Sequence, residues 1–417
     1  MMDSIRRRYA FFSVNYFVQG AIGIAYEPLN YLLKDRLKLT PGESAGFFAW
    51  ITLPLLFKPL FGYVTDFVPL GRYRRKPHLV LAAFLGASAF FAVAMQARYT
   101  YRSLLIPMTL SCLAMAFADA VCGGFLVEDG KERRQTGRYQ AIHIGMLYLS
   151  VILVGAGGGW MTAHIPFSRI FALAGFLALV LVAAVFLVHE TGSEAPRRRT
   201  AAPLWALLRT RSFWMLSLTI VLWNFYPFLG TVQFYYQSNV LRLNPQWIGS
   251  LMSVGSIAGL IGSAVFWKFC RGREMDRWVS WGPIGMALVS LSYLFYFNAV
   301  SVTLVETLFG FASVFFRLAL LDLIARSCPT DAEATSYALF LTFFDIAMYG
   351  SNAIGGKLCD FLQRILIGQV RHDQISDRIL ILIGAACTLA CRWTLKYSRT
   401  ATVYQGIRFE PEAAQQL

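Results

Sequence analysis

Among the ionisable side chains inside otherwise apolar stretches of sequence are Lys58, Asp119, Glu306, Arg317, Asp345 and Lys357. A charge near the centre of a bilayer costs about 2.5 to 3.5 kcal/mol or more, so each needs a partner or a task. Counting about 1.5 Å per residue from the basic flanks, Lys58 and Asp119 lie at similar depth, roughly 13 and 12 Å, and Arg317 and Asp345 lie roughly 12 and 16 Å deep. The spacing predicts two acid–base pairs, Lys58 with Asp119 and Arg317 with Asp345. Glu306 and Lys357 form a third candidate pair nearer the opposite face. Such pairs act either as static bridges that hold helices in register or as charges exchanged among themselves, a proton and an anionic substrate.

Uncharged polar residues extend the pattern. At about 100° per residue, Asn15, Gln19, Tyr26 and Asn30 share one face of a first apolar segment, and Asn224, Thr231, Tyr235 and Ser238 share one face of a seventh. Met108, Cys112, Met115 and Asp119 form a stripe on a fourth, and Glu306, Gly310, Ser313 and Arg317 on a tenth. Polar stripes either knit helices together or line a shared aqueous cavity; four together favour the cavity. Glu27-Pro28 and Tyr226-Pro227 each place a helix break in such a segment. Aromatic rings at Tyr26, Trp223, Phe225, Tyr226 and Tyr235 suit stacking against a flat solute.

The elements that position these residues are membrane helices. The chain has 417 residues, 57% hydrophobic and 15% charged, against about 25% charged in ordinary soluble domains. A crossing needs about 20 apolar residues, and twelve segments qualify: 9–33, 46–67, 78–97, 103–127, 140–161, 167–188, 212–238, 246–267, 278–298, 302–325, 334–360 and 379–399. The net charge of +15 is distributed by topology and does not signal a nucleic-acid partner. Arg6 to Arg8, the Arg72–Lys76 run, Arg133, Arg134, Arg138, Arg197 to Arg199 and Arg271 to Arg277 all fall on one side, which places both termini in the cytoplasm. An integral, multi-pass protein of the plasma or bacterial inner membrane is expected.

The seven cysteines and five histidines show no metal-ligand spacing. The Gly155-Ala156-Gly157-Gly158-Gly159 run lacks the strand and lysine of a phosphate loop, so neither metal nor cofactor is expected. One long polar interruption, 189–211, separates two sets of six segments. Leu37-Lys38-Leu39-Thr40-Pro41 recurs 204 residues later as Leu241-Arg242-Leu243-Asn244-Pro245, each with a helix N-cap followed by proline. The expected organisation is a bundle over 1–190, a cytoplasmic linker over 191–211, a second bundle over 212–400 and a cytoplasmic tail over 401–417. Two parallel six-helix repeats are the plan of major facilitator transporters, with the solute between the halves near mid-membrane.

Between segments 2 and 3, Gly62, Asp66, Gly71 and Arg72, with further arginines, resemble the facilitator loop signature, lengthened after the aspartate. In that family the loop latches the halves on the cytoplasmic side, a role the resemblance assigns to Asp66, Gly71 and Arg72. Several stretches further resemble the folate-biopterin transporter family: Tyr16-Phe17-Val18-Gln19-Gly20, Lys58-Pro59-Leu60-Phe61-Gly62, Pro69-Leu70-Gly71-Arg72-Tyr73-Arg74-Arg75, Phe117-Ala118-Asp119-Ala120-Val121, and Cys328-Pro329-Thr330-Asp331. Gly123 stands where the family often has a second aspartate, and Asp345 where it tends to have a neutral polar residue. The resemblance implies an all-α membrane transporter for folate, biopterin or a related pterin or organic anion, driven by symport with a proton or by counter-substrate exchange. Asn15, Gln19, Tyr26, Glu27, Lys58, Asp119, Asn224, Tyr226, Tyr235, Arg317 and Asp345 are the residues expected to bind substrate or couple transport. A permease for sugar-like or cell-wall-derived solutes is the alternative within the transporter class. A non-transporting sensor or scaffold would gain nothing from charged cavity residues, and a membrane enzyme would need a polar catalytic loop.

Overall fold

The computed structural model describes residues 2–67, 73, 75–133, 136–188, 208–269, 274–327, 333–365 and 372–404, and helix occupies every predicted segment. Gly71, Arg72, most of the linker and the end of the tail lie outside the described residues, as does the side chain of Asp66. Among the described residues, nine helices are long and apolar enough to cross a membrane, matching spans 2 to 6, 8 to 10 and 12. Spans 1, 7 and 11 differ because breaks or polar residues interrupt them.

The breaks follow from proline chemistry. Span 1 runs as a helix over Met2–Ala21, tightens to a 3₁₀ turn at Ile22–Ala25, resumes at Tyr26–Tyr31 and ends in a π turn at Leu32–Arg36. Pro28 has no N–H to donate and its ring crowds the carbonyl one turn earlier, where the tightening occurs. In span 2, Pro54 and Pro59 bracket a 3₁₀ turn, Leu53–Phe57, between helices Pro41–Thr52 and Lys58–Phe67. Span 7 stops altogether: helix Arg211–Trp223 gives way to a turn through Pro227, and Gly230, at φ 91°, starts helix Thr231–Tyr235. The stripe expected along span 7 is therefore corrected. Asn224 and Thr231 sit on separate helices, so one rotation angle cannot relate them.

The internal repeat is built into the backbone. π turns at Leu32–Arg36 and Tyr236–Val240 precede Lys38 and Arg242, the only two non-glycine residues at positive φ among those described (56° and 53°). Leu37 N–H donates to Leu32 O and Leu241 N–H to Tyr236 O, both at 3.0 Å. Thr40 and Asn244 then cap the next helices through the N–H groups of Glu43 (3.2 Å) and Trp247 (2.7 Å).

Spans 1 to 6 and 7 to 12 form two bundles. Span 3 packs on spans 4 and 6, and span 1 on span 5; span 12 packs on spans 7 and 9, and span 9 on span 10. Leu29, Phe47, Phe90 and Phe171 lie in the core of the first bundle, and Phe213, Trp223, Phe315 and Phe340 in that of the second. The halves meet where span 5 crosses span 8 and where span 2 crosses span 11. Outward the surface is apolar, with Trp50, Phe84, Phe176, Trp214, Ile261 and Leu304 exposed, a surface that only lipid covers without cost.

Candidate functional site

The 3₁₀ turn in span 2 ends at Lys58, and the ammonium emerges between spans 4 and 11. It lies 3.2 Å from Asp119 Oδ2 and 3.6 Å from Asp345 Oδ2. Lys58 thus joins a carboxylate of its own bundle to one of the other. The side chains are 31%, 36% and 21% exposed, so they face open space and the attraction is screened accordingly. A cation held by two carboxylates at this depth can trade one of them for a ligand carboxylate while keeping the other, which frees the displaced aspartate.

The Lys58–Asp119 pair is as the spacing predicted. The other two pairs are corrected. Asp345 takes Lys58, while Arg317 lies over the Phe344 ring with its guanidinium carbon 5.3 Å from the centroid. Depth arithmetic places residues at a level but not around the circle, and residue 317 sits on an exposed face of span 10. Lys357 is exposed on span 11, whereas Glu306 turns into the second bundle towards Gln233, Tyr293 and Tyr296.

The remaining candidates divide by what they touch. Asn15 is fully buried, donates to Phe11 O at 3.0 Å and accepts from Cys122 Sγ at 3.3 Å; it ties span 1 to span 4. Asn224 donates to Ile220 O at 2.8 Å and finishes its own helix. Tyr226 packs edge-on against Phe309 inside the second bundle. Tyr235 reaches across the halves to Ser44 Oγ (2.9 Å) and Leu39 O (2.5 Å). Gln19 and Tyr26 are half-buried on span 1, and Tyr16 beside Gln19 stacks on His143 at 3.8 Å. Glu27 and Tyr31 lie four residues apart on one face of the short helix after the break, and Glu27 Oε1 and the Tyr31 hydroxyl have no hydrogen-bond partner among the described residues.

Asp360 was not singled out by sequence and proves central to the seam. One oxygen accepts from Thr40 Oγ1 at 2.6 Å and the other from Gly42 N–H at 3.1 Å. A span 11 carboxylate thereby completes the N-terminus of span 2, where free N–H groups and the helix dipole favour a negative charge. The only signal was its place one turn after Gly356, which packs against Pro41 O, Gly42 and Ala45. These contacts, with those of Tyr235, close the face of the molecule opposite the termini.

Comparison with known proteins agrees with this architecture. The profile of the BT1 family matches residues 19–395. A folate-biopterin transporter of Synechocystis is 25% identical over 396 residues, spanning 90% of this chain and 78% of that protein. Folate transporter 1 of Plasmodium falciparum is 21% identical, spanning 84% of this chain and 70% of that protein. Among solved structures, the D-xylose-proton symporter superposes with a TM-score of 0.69 at 13% identity, covering 93% of this chain and 97% of that one. The nucleoside transporter NupG superposes with a TM-score of 0.68 at 12% identity, covering 94% and 98%. At such identity these two show the fold alone, the major facilitator fold. With the family profile spanning both bundles and the Lys58 site between them, the chain is an integral membrane transporter, not an enzyme, and belongs to the BT1 family of folate-biopterin transporters.

Proposed function

We propose that this transporter moves folate, biopterin or a related pterin or organic anion by alternating access, driven by a proton or by counter-exchange. The observation that carries the reading is Lys58 between Asp119 and Asp345, one from each bundle. A substrate carboxylate that displaces either aspartate from Lys58 unties or reties the bundles, so solute binding biases the rocking of one half against the other. The unpartnered Glu27 and Tyr31 groups suit the donor-rich edge of a pterin ring. The names of the relatives support the pterin class.

In this reading both termini and the 191–211 linker are cytoplasmic, and the closed face is the outer one. Asp66, Gly71 and Arg72 latch the cytoplasmic side. Asp66→Asn then slows transport more than it weakens binding, because a latch sets the balance of states rather than touching solute; equal rates in mutant and parent would contradict the latch.

The central test is binding to protein in vesicles. Lys58→Ala should weaken folate, which carries carboxylates, roughly ten- to a hundredfold, the worth of a hydrogen bond to a charged group. Biopterin, which carries none, should lose little. Equal losses for both compounds, or none for either, would sink the assignment.

A further inference from the structure

Glu306 on span 10 is half-buried in the second bundle without a cation beside it among the described residues. Its contacts are neutral: Tyr296 Oη donates at 2.6 Å, Gln233 Nε2 donates to the same oxygen, and Tyr293 Oη stands 3.4 Å from both oxygens. Tyr296 Oη in turn accepts from Gln237 Nε2 at 2.7 Å and Gln233 Nε2 at 3.2 Å. This shell differs in kind from that of Lys58. An ammonium can only donate, so it demands an ionised partner. A phenol hydroxyl or a carboxamide can donate or accept, so the same groups satisfy a carboxylate and, after rotation, a carboxylic acid. Glu306 can therefore gain or lose a proton without stranding a buried polar atom.

Two further features give this toggle a neighbouring cavity and a consequence. Tyr293 and Tyr296 also wall a small cavity of about 10 Å³, room for about one water, lined by Phe228, Tyr236, Asp377 and Arg378 at the ends of spans 7, 9 and 12. Around Glu306, span 9 presents Tyr293 and Tyr296. Span 7 presents Gln233 and Gln237, with Tyr236 donating to Tyr296 O, and Tyr226 near Tyr293 through Phe309. Span 12 presents Asp377 and Arg378 across the cavity, and span 8 approaches with Gly255, which carries no side chain. The consequence lies in helix Thr231–Tyr235. Gln233 on that helix holds Glu306, while Tyr235 on its other side clamps Leu39 and Ser44 of the opposite bundle, and the N–H of Thr231 donates to Asn352 Oδ1 at 2.8 Å.

We propose that Glu306 is a proton-binding site of the transporter whose occupancy sets the hold of the outer closing segment Thr231–Val240. The unprotonated carboxylate accepts charge-assisted bonds from Gln233 and Tyr296 and grips the segment; one added proton turns these into ordinary hydrogen bonds and loosens it. The proposal deepens the transport reading by separating the proton site from the Lys58 site, and it rests on that reading for its use in transport.

Two measurements on the full chain in vesicles test it. Infrared difference spectra across pH should contain a protonated-carboxyl band that Glu306→Gln removes and Tyr296→Phe shifts. Hydrogen exchange of 231–240, corrected for its intrinsic pH dependence, should slow as pH rises in the parent and lose that dependence in Glu306→Gln. The same variant should lose proton-driven net transport while still exchanging solute. A spectrum in which no band depends on Glu306, or exchange in 231–240 with unaltered pH dependence in Glu306→Gln, overturns the proposal. A chain that moved no pterin would remove the substrate assignment but leave both spectroscopic results standing. Should Glu306→Gln fail to fold, Tyr296→Phe alone decides: an unshifted band and unchanged exchange reject the site.

Discussion

The two seams between the bundles occupy equivalent places in the repeat and are built from different materials. Where span 5 crosses span 8, glycines bring backbones into contact: a Cβ on Gly155 would strike Gly249 O, and one on Gly159 would strike Pro245 O. Ser253 adds a polar link there, accepting from Ala156 N–H at 2.8 Å and donating to Ile152 O at 2.5 Å. Where span 2 crosses span 11, Gly42 and Gly356 provide similar closeness, but Asp360 adds a charge on the N-terminus of span 2. A backbone-to-backbone seam has nothing to exchange with water and tolerates rotation only while it stays in contact. A carboxylate on a helix end can trade its N–H and hydroxyl donors for water. On this chemistry the first seam is expected to act as a pivot and the second as a gate.

The largest effect should come from the pivot. Gly155→Leu forces side-chain volume against a backbone carbonyl, and overpacking of this kind costs about 1 to 3 kcal/mol or more. Thermal unfolding in detergent should fall markedly and transport should vanish; a variant with parental stability and transport would show that the seam separates during the cycle.

Asp360→Asn should act more mildly and on a different observable. It removes the charged acceptor, worth about 1.5 to 3 kcal/mol for hydrogen bonds to an ion, and the dipole interaction, about 0.3 to 1 kcal/mol. Because Thr40 and Asp360 lie at an exposed edge, the lower end applies. Distances between spin labels on spans 2 and 11 should shift towards a separated population with little change in unfolding temperature. An unchanged distribution would mean that Asp360 only caps.

The smallest effect sharpens the comparison within the repeat. Thr40→Ala and Asn244→Ala each remove a cap worth about 1 kcal/mol. Only Thr40 also donates to the opposite bundle, so only Thr40→Ala should alter the label distances. Matching shifts from both variants would remove the distinction between the seams.

Some of this molecule could be read without coordinates because it depends on local chemistry. Apolar length and basic flanks yield helices in a membrane, and the Leu-x-Leu-x-Pro repeat anticipates two elbows whose backbones coincide down to a left-handed lysine and a left-handed arginine. Depth along a helix follows from residue number, so Lys58 and Asp119 were matched in advance. Direction around a helix follows only while the helix is unbroken. Pro227 and Gly230 end that condition in span 7, and the predicted stripe through Asn224 and Thr231 dissolves with it. Partners across a seam need the relative placement of two bundles, which no local rule contains. That is why Asp345 found Lys58 rather than Arg317, why Glu306 turned away from Lys357, and why Asp360 passed unnoticed until it met the N-terminus of span 2. Sequence by itself determined which groups are expensive to bury and how deep they lie; tertiary packing decided which of them relieve one another, because that depends on angle and distance between helices far apart in the chain.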